Sequence, residues 1–312
     1  MLIQRLEQGI SRSKSDVAFA APVDLVRLRE LMDATEGASQ IVVALIDGPV
    51  AVDHPSLAGE RIRPAGNNGA GCPTPEGAAC SHGTFVAGVL HAKRDSLAPG
   101  ICPGCTLLLR PIFTDSAGAS AEDLPNASPE ELASAILDVI RAGARIINLS
   151  VGLTAPPLRA ERMLEQALQE AARRGAVVVV AAGNQGTVGG TPLTRHPWVI
   201  PVVACDGQGR VLAPSNLGAS IGRQGLAAPG HDITSLAAGG GQAKFSGTSA
   251  AVPFVSGTIA LLWSLFPNAS ATQLRLAITA GHARRRSVAP PLLDASAAYQ
   301  SLTSPRLGVP AR

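Results

Sequence analysis

At 312 residues the chain lies near the upper limit for a single hydrophobic core. Hydrophobic residues make up 46% and charged residues 16%, which suits a large buried sheet. Aromatics at 3% and a net charge of +3 argue against base stacking on nucleic acid and against a polyanionic partner. The only basic run, Arg284-Arg-Arg286, reads as a solvated surface segment. No stretch of 18 unbroken apolar residues occurs, so no membrane span is expected. Met1 to Ala21 has mixed charges and no apolar signal core, so a cytoplasmic protein is the expectation.

In chain order, residues 1–23 read as a peripheral extension. Asp24 to Met32 carries Leu25, Leu28 and Leu31 at helical spacing, which predicts one helix. Ile41-Val-Val-Ala-Leu-Ile46 is a continuous β-branched run and predicts a strand buried on both faces, hence a parallel sheet. It ends in Asp47-Gly48. An acid at the carboxyl end of a central strand is where open α/β sheets place their sites, although a turn aspartate would look the same. After a Gly/Pro/Asn loop, His82 opens a helix of small and apolar residues, Gly83 to His91.

Thr106 to Ile112, Arg145 to Ser150, Ala176 to Ala182 and Val199 to Ala204 read as further strands. Between them, Ser128-Pro-Glu-Glu131 is a helix start with a serine cap, and that helix stops at Gly143. Leu158 to Arg174 is a second amphipathic helix, closed by Gly175. This alternation predicts an α/β fold with a doubly wound, mainly parallel sheet, in one domain over residues 24–303. Residues 304–312 read as a loose tail. Gly239-Gly-Gly-Gln242 is a turn and not a phosphate cradle, because no Lys-Ser/Thr pair follows it at the required spacing.

Phe245-Ser-Gly-Thr-Ser-Ala-Ala-Val-Pro-Phe-Val-Ser-Gly257 opens a long apolar run that reaches Phe266. It places Ser249 at the start of a buried helix, where unpaired N–H groups favour a developing anion. Taken alone, Ser249 reads equally well as a helix cap or as a nucleophile. The rest of the chain decides. A serine nucleophile needs a base beside it, and His82 suits that task. A carboxylate must orient the imidazole, and Asp47 stands at a rigid strand end. Asn184, after the strand that runs into Gly183, supplies an amide for an anion, with the Ser249 N–H as a second donor.

The five cysteines leave alternatives open. Cys72, Cys80, Cys102 and Cys105 allow two short links, Cys72–Cys80 and Cys102–Cys105, or a zinc site; the links are the favoured reading. Disulfides would sit oddly in a reducing cytosol. Cys205 packs in the core at a strand end. His54, His91, His196, His231 and His282 carry no assigned role and read as structural or exposed. No cofactor is called for, and no carboxylate cluster demands a calcium ion.

The order Asp, His, Asn, Ser, with Ile46-Asp-Gly48, His82-Gly-Thr-Phe-Val-Ala-Gly88, Ala181-Ala-Gly-Asn184 and Gly247-Thr-Ser-Ala-Ala-Val-Pro253, resembles the subtilisin-like (S8) serine proteases from Ile41 to Phe266. The resemblance implies a seven-stranded parallel sheet and extended peptide substrates. It also implies that Ser150-Val151-Gly152 pairs with the substrate backbone as an added strand. Ala181, Ala182 and Gly183 would line the pocket next to the cleaved bond. Val252 and Phe254 depart from the commonest spelling around the proline and touch no catalytic role.

A narrower likeness runs through Leu45-Ile-Asp-Gly-Pro-Val50, Asp53-His-Pro-Ser-Leu57, Cys80 to Gly88, Ala92-Lys-Arg94 and Ile101 to Phe113. These stretches resemble the cyanobactin maturation proteases of PatA type, which process ribosomally made precursor peptides. Related macrocyclases carry a helical cap between the catalytic Asp and His. Here residues 48–81, 34 in all, fill that gap and look loop-like. Water should therefore reach the acyl-enzyme, which points to leader cleavage by hydrolysis. The competing readings are a peptide macrocyclase, a general intracellular subtilisin-like protease and a non-catalytic peptide-binding module. The oligomeric state is not legible.

Overall fold

The computed structural model describes residues 21–57, 61–66, 71–75, 77–113, 128–150, 158–279 and 287–304. In chain order the elements are α1 (Pro22–Leu25), α2 (Arg29–Ala34), β1 (Val42–Asp47), β2 (Ile62–Pro64), α3 (Ala78–His91) and β3 (Thr106–Pro111). There follow α4 (Pro129–Arg141), β4 (Ile146–Leu149), α5 (Leu158–Arg174), β5 (Val177–Ala181), α6 (Pro192–Arg195) and β6 (Val199–Cys205). The chain continues through α7 (Ala219–Gln224), β7 (Leu226–Pro229), β8 (Ile233–Leu236), β9 (Gln242–Phe245), α8 (Thr248–Leu265), α9 (Ala271–Ile278) and α10 (Ala295–Thr303).

Seven strands form one parallel sheet in the order β2-β3-β1-β4-β5-β6-β7. From β1 the chain runs out to the edge strand β2, steps back to β3 beside β1, and then crosses to β4 on the other side. The order therefore reverses at the crevice between β1 and β4, where a doubly wound sheet presents its strand ends to a ligand. Residue alternation sorts each strand between two cores. Val43, Leu45, Ile146, Val177 and Val179 face the side covered by α3 and α8. Val42, Ala44, Ile46, Ile147 and Val178 face α4 and α5. By the same period of two, Asp47, Asn148 and Ser150 point toward the α3/α8 side.

The five strands expected from apolar runs are present within a residue or two at each end. The α4 start is as read: Ser128 Oγ accepts the Glu131 N–H at 3.1 Å behind Pro129. Three expectations need correction. The helix expected over Asp24–Met32 breaks into α1 and α2 at Arg27, whose φ is +53°. The break lets Val26 and Leu28 both become fully buried. Two residues apart on a continuous helix, they would face nearly opposite ways. The second correction is the start of α3, four residues before His82 at Ala78, so His82 sits in its second turn.

The third concerns cysteines. Cys72 and Cys80 are bonded, as expected, but Cys102 and Cys105 are free buried thiols. A tight turn, with the Cys105 N–H donating to the Cys102 carbonyl at 3.1 Å, brings them together. They hydrogen-bond to each other, and that bond together with burial holds Cys102 firmly in the thiol form. Cys205 closes β6 fully buried, and burial pushes its thiol up to about 12. The Gly239–Gln242 turn joins the antiparallel pair β8 and β9.

Helix α8 is long and apolar enough to cross a membrane, but 83% of it is buried in this core. It packs across β4, β5, β6 and β7 and against α3. His82 and Ser249 thus sit on two touching helices over one sheet face.

Candidate active site

Asp47 ends β1 with no exposed surface. Its Oδ1 accepts the Gly48 N–H at 2.6 Å and lies 2.7 Å from His82 Nδ1. A carboxylate can only accept, so Nδ1 carries the proton and Nε2 is left as the acceptor. Nε2 is buried and has no hydrogen-bond partner among the described residues. Burial pulls the imidazole pKa down, but the Asp47 charge and hydrogen bond outweigh it and leave it above its ordinary value.

Two glycines bring α3 this close. A Cβ on Gly48 would stand 2.0 Å from the Ala79 carbonyl oxygen, and one on Gly83 would stand 2.3 Å from that of Pro49. The disulfide Cys72–Cys80 ties the preceding loop to the first turn of the same helix. The Phe245 ring meets the His82 ring at right angles, centroids 6.2 Å apart, and also packs on Phe85 at 4.7 Å. Sequence reasoning left Phe245 without a role. Its place four residues before Ser249 was the available signal.

Helix α8 begins at Thr248 behind Gly247, whose φ of +138° excludes most side chains. Ser249 is therefore the second helical residue and not the cap. The capping contact comes from another segment: Asn184 Oδ1 accepts the Thr248 N–H at 2.9 Å. Because that donor demands an oxygen, the amide orientation is fixed and Asn184 Nδ2 is left to donate. A Cβ on Gly247 would stand 3.0 Å from Nδ2, so the amide lies directly over the helix entrance. Ser249 is half-buried beside it. Its N–H belongs to the first turn, where no helical acceptor exists.

The loop after β5 is held by Asn216. Its Oδ1 accepts the Gln185 and Thr187 N–H groups, each at 3.1 Å, and its Nδ2 donates to the Ala182 carbonyl at 3.1 Å. Gly183 adopts φ +102°, and a Cβ there would meet Asn216 Nδ2 at 2.3 Å. Ala181 and Gly183 are half-buried and Ala182 is buried. Ser150 follows β4, buried, and its hydroxyl turns inward to the Ser249 carbonyl at 3.2 Å. Val151 and Gly152 lie outside the described residues, as do Arg284 to Arg286 and His282.

The other described histidines make no hydrogen bond to Asp47, His82 or Ser249 among the described residues. His91 is buried, and burial above all draws its pKa down to about 4. His54 and His196 use Nδ1 to accept the N–H of Ser56 and of Trp198. His231 is exposed.

Residues 38–292 match the subtilase family, peptidase family S8. The chain belongs to that family. It is 33% identical over 235 residues to a thermophilic serine proteinase of Bacillus sp. (strain AK1), covering 74% of this chain and 54% of that protein. It is 31% identical over 245 residues to subtilisin E of Bacillus subtilis (strain 168), covering 76% and 59%. The chain spans about half the length of the curated relatives it matches. A variant of the protease domain of PatA superposes with a TM-score of 0.79 at 31% identity, over 89% of this chain and 100% of that one. The prenylagaramide maturation protease PagA gives 0.76 at 30%, over 89% and 99%. The PatG macrocyclase domain, 20% identical with a TM-score of 0.75 over 92% and 99%, shares the fold.

Proposed function

We propose that the chain is a serine endopeptidase that removes the leader from a ribosomally made precursor peptide. In this reading His82 Nε2 takes the proton of the Ser249 hydroxyl as its oxygen attacks the scissile carbonyl. Asp47 holds the imidazole tautomer and stabilises the imidazolium that forms. Asn184 Nδ2 and the Ser249 N–H donate to the oxyanion. The imidazolium then protonates the leaving amine, and a water repeats the sequence on the acyl-enzyme.

The observation that carries the reading is the buried Asp47–His82 pair with Nε2 unpartnered, on a helix packed against the one that Ser249 opens. Family membership and the likeness to PatA and PagA support the peptide substrate. The substrate backbone would pair along Ser150 to Gly152, with Ala181, Ala182 and Gly183 beside the cleaved bond. Hydrolysis is favoured over macrocyclisation by the short gap before His82. The described residues of that segment carry no α-helix before Ala78, so no helical cap stands among them.

Two measurements test the proposal. A fluorophosphonate probe should label the protein at Ser249, and Ser249→Ala should not label; equal labelling of both sinks the nucleophile assignment. Mass spectrometry of a precursor peptide encoded beside the gene should then show a linear, leader-free product. A mainly cyclic product would transfer the chain to the macrocyclase class.

A further inference from the structure

The Ser249 carbonyl occupies an unusual position in α8. In a regular helix it would accept the N–H of the residue four further on. That residue is Pro253, which has none. The vacant acceptor is filled from the sheet: Ser150 Oγ lies 3.2 Å from the Ser249 carbonyl oxygen. The contact continues inward. Asn148 Nδ2 lies 2.9 Å from Ser150 Oγ, and Ser256 Oγ lies 2.9 Å from Asn148 Oδ1. Asn148 and Ser256 have no exposed surface, and Ser150 is 4% exposed.

The direction of this chain follows from its carbonyl end. A carbonyl only accepts, so Ser150 must donate. Its lone pair then takes the Asn148 N–H, which turns the Asn148 oxygen toward Ser256, so Ser256 donates in its turn. Each link leaves the next with one arrangement. Ser256 lies two turns beyond Ser249 on the same helix. The network therefore leaves α8, crosses the end of β4 and returns to the α8 residue that faces the crevice. A helical serine ordinarily bonds back to its own helix, as Thr258 does to the Phe254 carbonyl at 2.7 Å. Ser256 bonds to the sheet instead.

We propose that Asn148 and Ser256 are positioning residues for the nucleophile: through Ser150 they fix the Ser249 peptide plane at the point where Pro253 opens the helix. The proposal rests on Ser249 being the nucleophile. Neither residue touches substrate. Holding the carbonyl fixes the direction in which Ser249 Oγ and its N–H project, and a displacement of about 1 Å at such a site costs on the order of 10²-fold in rate. A buried network of this kind is cooperative, so losing its last donor loosens every link before it.

The test is the rate of fluorophosphonate labelling across a pH series, with the melting temperature measured on the same samples. Ser256→Ala should lower the plateau rate roughly tenfold, an intermediate displacement on that scale. The midpoint of the pH profile should stay in place, because the His82–Asp47 pair is untouched. Ser256→Cys keeps the volume with a weak donor and should fall with it; it also serves if Ser256→Ala does not fold. Ser256→Thr keeps the hydroxyl and should recover most of the rate. Asn148→Ala and the Asn148→Ala/Ser256→Ala double variant should be equally slow, since both act through one chain. Wild-type rates in Ser256→Ala and Ser256→Cys, whatever their melting temperatures, would overturn the proposal, as would a double variant slowed by the product of the single effects. Wild-type protein that does not label at all removes the nucleophile reading itself, which separates that failure from this one.

Discussion

The two halves of the candidate site are held by different physics. On α3, His82 is fixed by one short contact between two ionisable side chains, both buried, and its strength depends on protonation. On α8, Ser249 is fixed through its backbone, by neutral hydrogen bonds from Ser150 and by the Asn184 clamp on the Thr248 N–H beside it. The difference matches the two tasks proposed for His82 and Ser249. A base must gain and lose a proton, so the group that holds it has to respond to charge. A nucleophile must stay in place through the cycle, so it is held by contacts that ignore pH.

Breaking the charged half should have the largest effect. His82→Ala should lower kcat roughly 10⁶-fold, the loss such a removal costs in subtilisin. Asp47→Asn keeps the shape and should cost about 10⁴-fold, because an amide no longer selects the proton on Nδ1. It should also move the pH profile. His82 in the wild type titrates above its ordinary value of 6.5, so activity should rise with pH through that higher value, as the imidazole becomes neutral. The stability contribution runs the other way. It is fully present below 6.5 and is lost as pH rises through the folded value. In Asp47→Asn the activity limb should shift to lower pH, because desolvation is no longer opposed. A limb that stays in place in Asp47→Asn would mean that the titrating group is not His82.

The neutral half should respond more gently. Asn184→Ala should lower kcat by about 10²–10³-fold with little change in KM. It also removes the acceptor from the Thr248 N–H, a cap whose loss costs about 1 kcal/mol. Unlike Asp47→Asn, it should leave the midpoint of the pH profile unmoved. Comparing the two variants in one buffer series sharpens the division: one changes the midpoint and the plateau, the other only the plateau.

How much of this could be read beforehand follows from the same contrast. The central strands announce themselves because parallel strands buried on both faces become continuous β-branched runs, as in Ile41 to Ile46. The short edge strand Ile62–Pro64 contains an arginine and a proline and gives no such pattern. Gln242 to Phe245 has a polar face and was legible only as the stretch leading into the serine. Asp47, His82 and Ser249 stand out as candidates because each lies at a strand end or near a helix start with small neighbours. The network behind Ser249 was not. Asn148 looks like a polar interruption in a strand, and Ser256 lies 108 residues away on a helix that hides its partner. Long-range hydrogen bonds between common residues leave no local trace. The Cys102–Cys105 link was misjudged for a related reason. Spacing shows that two cysteines meet, but not that they meet as thiols inside a core.

The smallest expected effect concerns what holds α3 rather than what acts on it. The Cys72–Cys80 link closes a loop of sequence separation 8 just before His82. Replacing both cysteines by serine should lower stability by about 2–3 kcal/mol through chain entropy. Turnover well below the melting point should hardly change. The position of His82 is set by the close approach of Gly48 to Ala79 and of Gly83 to Pro49, which the link does not touch. Thermal unfolding and kcat measured together on the double variant decide the matter. A lower melting temperature with kcat intact leaves the glycine approaches and the charged pair as what holds the base. A kcat that falls in step with stability would mean that the loop, and not the pair, positions His82.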